Sequence, residues 1–298
     1  MHKLSPWLTA TSALFDKLLG SNRLPHAILI DGQEGWGQET LAAHFALRLL
    51  NLENKFDELP ALHEIAHPDL RWLIPETSII KVEQIRQLAN FVNGTAQSGD
   101  RKVGVITQAH KMNAQSANAL LKTLEEPAGN THLILTTHSL HRLLPTVRSR
   151  CQRLSISTCS HGETLNWLAE QGVDGQTIEH LMFEFGGAPE RVLSAAENSV
   201  QPVYLALQTA LGGGDVSKLS SDWKDQEATD LLARWYRYLV LALAGEGPFG
   251  HLQTKSAKAL MSFSEELTAT LPYVQNATSV NQQLLFERLL SRWRALAA

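Results

Sequence analysis

The chain has 298 residues, 44% of them hydrophobic and 19% charged, enough for two or three compact domains of roughly 100 to 200 residues each. A formal charge of −4 argues against strong unaided DNA binding, which needs Lys and Arg to neutralise several phosphates, so any DNA contact is expected to be local or shared with partners. No apolar run approaches the roughly 18 residues that span a bilayer, and Met1-His2-Lys3-Leu4-Ser5-Pro6-Trp7 opens no apolar stretch with a small-residue cleavage site; a cytoplasmic protein without a membrane partner is expected.

From the N-terminus to about residue 156, short apolar runs alternate with helical periodicity, the signature of an α/β fold with a parallel sheet flanked by helices. Strands are predicted at Ala27 to Asp31, Leu70 to Ile74, Val103 to Thr107, His132 to Thr137 and Gln152 to Ile156. Between them, Glu39 to Leu50 sets Leu41, Phe45 and Leu49 on one stripe, and Glu83 to Val92 does the same with Ile85, Leu88, Ala89 and Val92. Ser116 to Glu126 repeats the pattern with Ala117, Leu120, Leu121 and Leu124, and Pro127 disfavours its continuation.

After Ile156 strand-like runs become scarce, and Gly186-Gly187-Ala188-Pro189 punctuates helices. The spacing predicts a core domain over 1–156, a small helical lid domain over 157–200, and an all-helical domain over 201–298 with helices at Leu231 to Ala244, Ser256 to Leu271 and Val280 to Ala297. Cys151 and Cys159, eight positions apart, are close enough in sequence to pair, whereas a reducing cytosol favours two buried or idle thiols.

The first strand runs into Gly32-Gln33-Glu34-Gly35-Trp36-Gly37-Gln38-Glu39-Thr40, ahead of a helix. This is the strand, glycine loop, helix context of a phosphate-binding loop, in which glycines let backbone N–H groups point inward at the helix N-terminus. In GxxxxGK[ST] the lysine neutralises the terminal phosphates and the hydroxyl holds magnesium. Here those places carry Gln38 and Glu39, and a carboxylate beside phosphate oxygens opposes binding. Thr40 as a shifted magnesium ligand lies one position late, about 100° round the helix. Taken alone, the loop is also compatible with a chance glycine-rich turn.

A hydrolysing P-loop enzyme carries an Asp, commonly with a Glu, at the end of a neighbouring strand. Val103-Gly104-Val105-Ile106 ends instead in Thr107-Gln108-Ala109-His110, so two cooperating positions have both lost their charge. His110 as a base has no evident paired acid; a surface or helix-entry histidine is the plainer reading.

Four segments resemble the delta-prime family of bacterial DNA polymerase III clamp-loader subunits, members of the AAA+ superfamily. They are Leu24-Pro25-His26-Ala27, His67-Pro68-Asp69, the stretch from Ser116 through Leu120-Leu121-Lys122-Thr123-Leu124-Glu125-Glu126-Pro127, and Leu143-Leu144-Pro145-Thr146-Val147-Arg148-Ser149-Arg150-Cys151. The likeness spans about residues 24 to 153; beyond 200 it is only helical. It implies a heteropentameric clamp loader with gamma/tau-type motor subunits and a delta subunit, loading a sliding clamp on primed DNA, in which this chain does not itself hydrolyse ATP. It also implies that Arg150, in the Ser149-Arg150-Cys151 motif, reaches ATP held by the adjacent motor subunit. By residue type alone, Arg148 and Arg150 read first as surface ion-pair formers at a strand entrance, and Cys151 as small packing.

The resemblance makes Gly32, Gly35, Gly37, Gln38, Glu39 and Thr40 a vestigial phosphate loop, Thr107 and Gln108 a vestigial second site, and Thr136, Thr137 and Arg191 vestigial sensors; Arg191 is also readable as lid packing. Many relatives carry four zinc-binding cysteines that are absent from Asn51 to Asp69 here. His63 and His67 lack a third protein ligand, so no zinc and no resident cofactor are expected. The competing readings are an active ATPase with a noncanonical loop and an adaptor outside replication. Trp235, Tyr236, Tyr238, Trp293 and Arg294 fit either core or interface.

Overall fold

The computed structural model describes residues 4–21, 23–75, 78–173, 175–276 and 281–297. Met1 to Lys3 and Val280, on which parts of the leader and last-helix expectations fall, lie outside the described residues. The chain divides into two compact units, residues 1–167 and 168–298; the segment 157–200 expected as a lid lies across that division.

The first unit is built on five parallel strands, β1 (Ala27–Asp31), β2 (Leu70–Leu73), β3 (Lys102–Ile106), β4 (Thr131–Thr137) and β5 (Gln152–Ser155), in the order β2-β3-β4-β1-β5. The apolar runs of β1, β3 and β4 do not alternate with polar residues because these inner strands are covered on both faces. The covering helices are α1 (Pro6–Gly20), α2 (Gln38–Leu49), α3 (Val82–Val92) and α4 (Ala114–Glu125). Asn113 starts α4 by accepting the Ser116 N–H at 2.9 Å, which satisfies one of the otherwise unpaired donors of the first turn. Ala117, Leu120 and Leu124 face inward from α4.

Sequence reading assigns no element to α1, which nevertheless buries Leu8 and Phe15 and stacks Phe15 on Phe45 of α2 at 3.8 Å between ring centres. The single turn α5 (Pro145–Arg148) leads into β5. Gly104 in β3 marks a close approach, since a Cβ there would lie 2.8 Å from Val92 and 2.9 Å from Leu133.

After α6 (His161–Glu170), the second unit holds α7 (Gln176–Glu184), α8 (Pro189–Glu197), α9 (Val203–Leu211), α10 (Val216–Trp223), α11 (Ala228–Leu243), α12 (His251–Asn276) and α13 (Gln282–Arg294). Its core is aromatic, with Trp235 and Trp293 crossing edge to face at 5.9 Å. Trp235, Tyr238 and Trp293 are therefore core, while Tyr236 is 41% exposed and Arg294 faces solvent. The expected helix start at Ser256 falls where α12 breaks, at φ −146°. Among the described residues no helix is long and apolar enough to cross a membrane.

Candidate functional site

Parallel strands bring their C-terminal ends to one edge of the sheet, where ligands of α/β folds bind. The register pairs Asp31 with Thr137 and Ile106 with Leu135, so the glycine loop after β1, the Thr107-Gln108 turn after β3 and the Thr136-Thr137 end of β4 meet there. The fold thus assembles the three segments expected to form a nucleotide site.

Within the loop, Gly35 and Gly37 adopt φ of 76° and 90°, values that favour glycine. The Gly32 N–H donates to Thr137 O at 3.3 Å. Gln38 is buried, and its side-chain amide turns back into the loop to donate to Gln33 O at 2.7 Å. A Cβ at Gly32 would meet that same amide at 3.4 Å. Trp36 is buried, and its carbonyl accepts the Trp7 indole N–H at 3.0 Å; Trp7 also meets Trp167 edge to face at 4.9 Å. No sequence signal joins these three tryptophans.

Glu39 is exposed at its surface, yet enough protein crowds its carboxyl for desolvation to raise its pKa, against a hydrogen bond with the Gln108 side chain and the charge of Lys111. Thr40 is half-buried one position further along α2. A magnesium triphosphate fits this loop poorly: the lysine position holds a neutral amide turned inward, and the hydroxyl position holds a carboxylate.

The neighbouring segments are knitted together rather than open. Gln108 adopts a left-handed φ of 49° and donates its N–H to Thr136 Oγ1 at 3.0 Å. Thr107 is buried with its hydroxyl 3.4 Å from Leu73 O, and Thr137 Oγ1 accepts the Ser139 N–H at 3.1 Å.

His110 corrects the surface reading: it does enter a short 3-10 turn, Ala109–Lys111, but it is only 4% exposed. The left-handed turn at Gln108 sends its ring inward, 3.1 Å from Thr137 Oγ1 and 4.1 Å from the His138 ring. Burial, then the charges of His138, Arg142, Lys111 and His141, pull its pKa from 6.5 down to about 4, so the ring is neutral at neutral pH. Next to the glycine loop lies a cleft of about 810 Å³ whose lining includes His138, His141, Arg148 and Arg153; Arg153 ion-pairs with Asp31 at 2.5 Å.

Arg150, two residues past the end of α5, is held on the surface by contacts from α4 and α5. Its Nε donates to Glu125 Oε1 at 2.8 Å, Nη2 lies 2.5 Å from the same oxygen, and Nη1 donates to Thr146 O at 2.9 Å. Arg150 thus forms the surface ion pair that residue type allows, and still presents a charged head to solvent. Cys151 packs against the core beside it, and burial pushes its thiol up to about 12, so it stays protonated. Cys151 and Cys159 are both free thiols.

Arg191 is engaged in the second unit, ion-paired with Asp230 and 4.7 Å above the Phe185 ring. That neighbourhood contains the buried pair Arg234–Glu184 at 2.6 Å. His67 spends its Nδ1 on the Asp69 N–H at 3.1 Å, and Asp69 in turn accepts the N–H groups of Gln97 and Ser98 at 2.7 Å each. Among the described residues no group of three or more His, Cys, Asp or Glu is placed to hold a metal.

A five-stranded parallel sheet with a glycine loop after β1, followed by a helical second unit, defines a protein built on a P-loop-type α/β core with an added helical unit. Residues 7–160 match the family described as DNA polymerase III, delta subunit. The chain is 33% identical to DNA polymerase III subunit delta' of Pseudomonas aeruginosa, covering 99% of both chains, and 28% identical to the subunit delta' of Yersinia pestis, covering 97% of this chain and 94% of that one. In fold it is similar to a DNA polymerase III gamma subunit-related protein from Thermotoga maritima, at a TM-score of 0.56 and 19% identity, covering 95% of this chain and 99% of that one. The chain belongs to the DNA polymerase III delta' family. The likeness runs through the second unit as well, beyond the segments in which sequence motifs are legible.

Proposed function

We propose that this chain is the non-hydrolysing subunit of a DNA polymerase III clamp loader in the cytoplasm. It assembles with gamma/tau-type motor subunits and a delta subunit in a heteropentamer that loads the sliding clamp onto primed DNA. Its own phosphate loop does not turn over ATP, and Arg150 acts outward as an arginine finger on ATP held by the adjacent motor subunit.

The observation that carries this reading is the inward turn of Gln38 onto Gln33 O, in a loop with no lysine and beside a β3 end with no acid. Triphosphate binding and hydrolysis need a cation on the terminal phosphates and magnesium held by hydroxyl and carboxylate oxygens. The residues at the lysine, hydroxyl and β3-acid places, Gln38, Glu39, Thr107 and Gln108, are not the types that supply these. A guanidinium, by contrast, stays charged at every physiological pH and matches phosphate oxygens with its planar fork. Supplied by a neighbour, such a group accelerates phosphoryl transfer by about 10³ to 10⁵ in the best-studied GTPases.

Reconstitution with motor and delta subunits tests the proposal. The isolated chain is expected to show no ATP turnover, the complex to form, and Arg150→Ala to leave its mass unchanged while slowing DNA-stimulated hydrolysis. Brisk turnover by the isolated chain, dependent on Thr40, would establish the active-ATPase reading instead.

A further inference from the structure

We infer that Glu125 is the positioning residue of Arg150, holding the guanidinium so that, once the weak Ser149 bond is exchanged, one N–H on each terminal nitrogen can be given to an anion from outside the chain. This rests on the reading of Arg150 as a finger acting on a neighbour's phosphate.

A guanidinium carries five N–H donors, one on Nε and two on each terminal nitrogen. Glu125 Oε1 takes the Nε donor at 2.8 Å and lies 2.5 Å from Nη2, and Thr146 O takes one donor of Nη1 at 2.9 Å. Nη1 also donates to Ser149 Oγ at 3.4 Å, a long and weak bond. Nε is thereby committed, Nη1 is committed to Thr146 O and only weakly to Ser149 Oγ, and Nη2 keeps a further N–H, so giving up the weak Ser149 bond frees one donor on each terminal nitrogen. Those terminal nitrogens are the pair through which arginine grips a phosphate bidentately.

Stability does not account for the arrangement. The side chains of Arg150 and Glu125 are 34% and 50% exposed, and ion pairs so exposed contribute little to folding. Glu125 is also the last residue of α4, where a carboxylate faces the negative end of the helix dipole and is disfavoured. An acid in this place offsets its own poor position only through the cation it holds.

The consequence is pre-organisation. A long, exposed arginine samples many rotamers, and freezing it on contact with a ligand lowers affinity and rate. Glu125 at the end of α4 and the carbonyl of Thr146 in α5 fix the head from two separate elements. The orientation is therefore set before the neighbour arrives.

The test uses the full chain in the reconstituted clamp loader, with clamp and primed DNA, comparing wild type, Glu125→Ala, Glu125→Gln, Arg150→Ala and the Glu125→Ala/Arg150→Ala double variant. Glu125→Ala is expected to lower kcat for ATP about three- to tenfold while KM for ATP stays within about twofold. Glu125→Gln keeps an acceptor oxygen and recovers most of the rate, and adding Glu125→Ala to Arg150→Ala changes nothing further. In the isolated chain, the Arg150 Nε–H resonance is expected to be protected from exchange in wild type and released in Glu125→Ala.

If Arg150→Ala slows the complex but Glu125→Ala runs at or above the wild-type rate, Glu125 does not position the finger. An additive effect of Glu125→Ala in the Arg150→Ala background, or a protected resonance that survives the substitution, overturns it as well. A wild-type rate for Arg150→Ala removes the finger itself, and this inference falls with it.

Discussion

The side chain of Gln38 donates to the main-chain carbonyl of Gln33 at 2.7 Å, so the residue standing where a phosphate loop keeps its lysine closes that loop on itself.

Restoring the lost side chains separates binding from turnover. Gln38→Lys with Glu39→Thr is expected to tighten ATP binding by one to two orders of magnitude, the equivalent of the about 1.5 to 3 kcal/mol a charged hydrogen bond contributes. Hydrolysis is expected to stay absent, because Thr107 and Gln108 supply no acid. Calorimetric titration and a turnover assay on the isolated chain measure the two effects; turnover in the double variant would show that the end of β3 is not limiting.

His110 makes stability depend on pH. Its folded pKa of about 4 lies below the ordinary 6.5, so the unfolded chain takes up the proton first. The contribution is whole above about pH 6.5 and is lost as pH falls toward 4, an effect of roughly 2 to 3 kcal/mol. Glu39, with its pKa raised, works in the opposite sense, so the quantity to follow is the difference between wild type and His110→Gln. Urea unfolding from pH 4 to 7 should show a shallower slope in the variant, and equal slopes would refute a buried neutral ring.

Below that window Asp69 takes over. Burial opposes its charge, but the N–H groups of Gln97 and Ser98, with His67 and Lys102 nearby, hold its pKa below 3.8. Its stabilisation is present above that value and is lost as pH falls through the lowered one. Asp69→Asn should destabilise the chain at pH 7 by about 1 to 3 kcal/mol, since an amide meets both N–H groups less well, and its unfolding midpoint should vary less than wild type's below pH 4.

Gly104→Ala tests the packing of α3 on the sheet. With Val92 and Leu133 both inside 3.0 Å of the added methyl, the core must shift, at a cost of about 1 to 3 kcal/mol. A chemical-denaturation midpoint equal to wild type would mean that α3 moves freely over β3.

In the second unit, Arg234→Met leaves the fully buried Glu184 without its cation and is expected to cost about 3 to 5 kcal/mol. Replacing Glu184 by Leu in the same chain should recover only part, because Glu184 Oε1 also accepts the Tyr204 N–H at 3.0 Å. Full recovery would show that this second bond contributes nothing.

Local pattern was enough for the sheet and the loop. All five strands begin within one residue of their predicted starts, and for β1, β3 and β4, buried on both faces, the burial is written directly into consecutive side chains. The loss of lysine at Gln38 and of acids at Thr107 and Gln108 is likewise a matter of residue type at a fixed spacing, legible without coordinates. α1 escaped because its inward side chains meet partners some 30 residues away, as Phe15 meets Phe45.

What tertiary structure alone decided is how the changed residues are used. The burial of His110 follows from one left-handed turn at Gln108, and the Arg150–Glu125 pair joins residues 25 positions apart through the packing of α4 beside α5. Spacing along a chain reports which face of its own helix or strand a side chain takes. Which distant group that side chain then meets depends on how the elements are stacked, and that is settled only when the whole core closes.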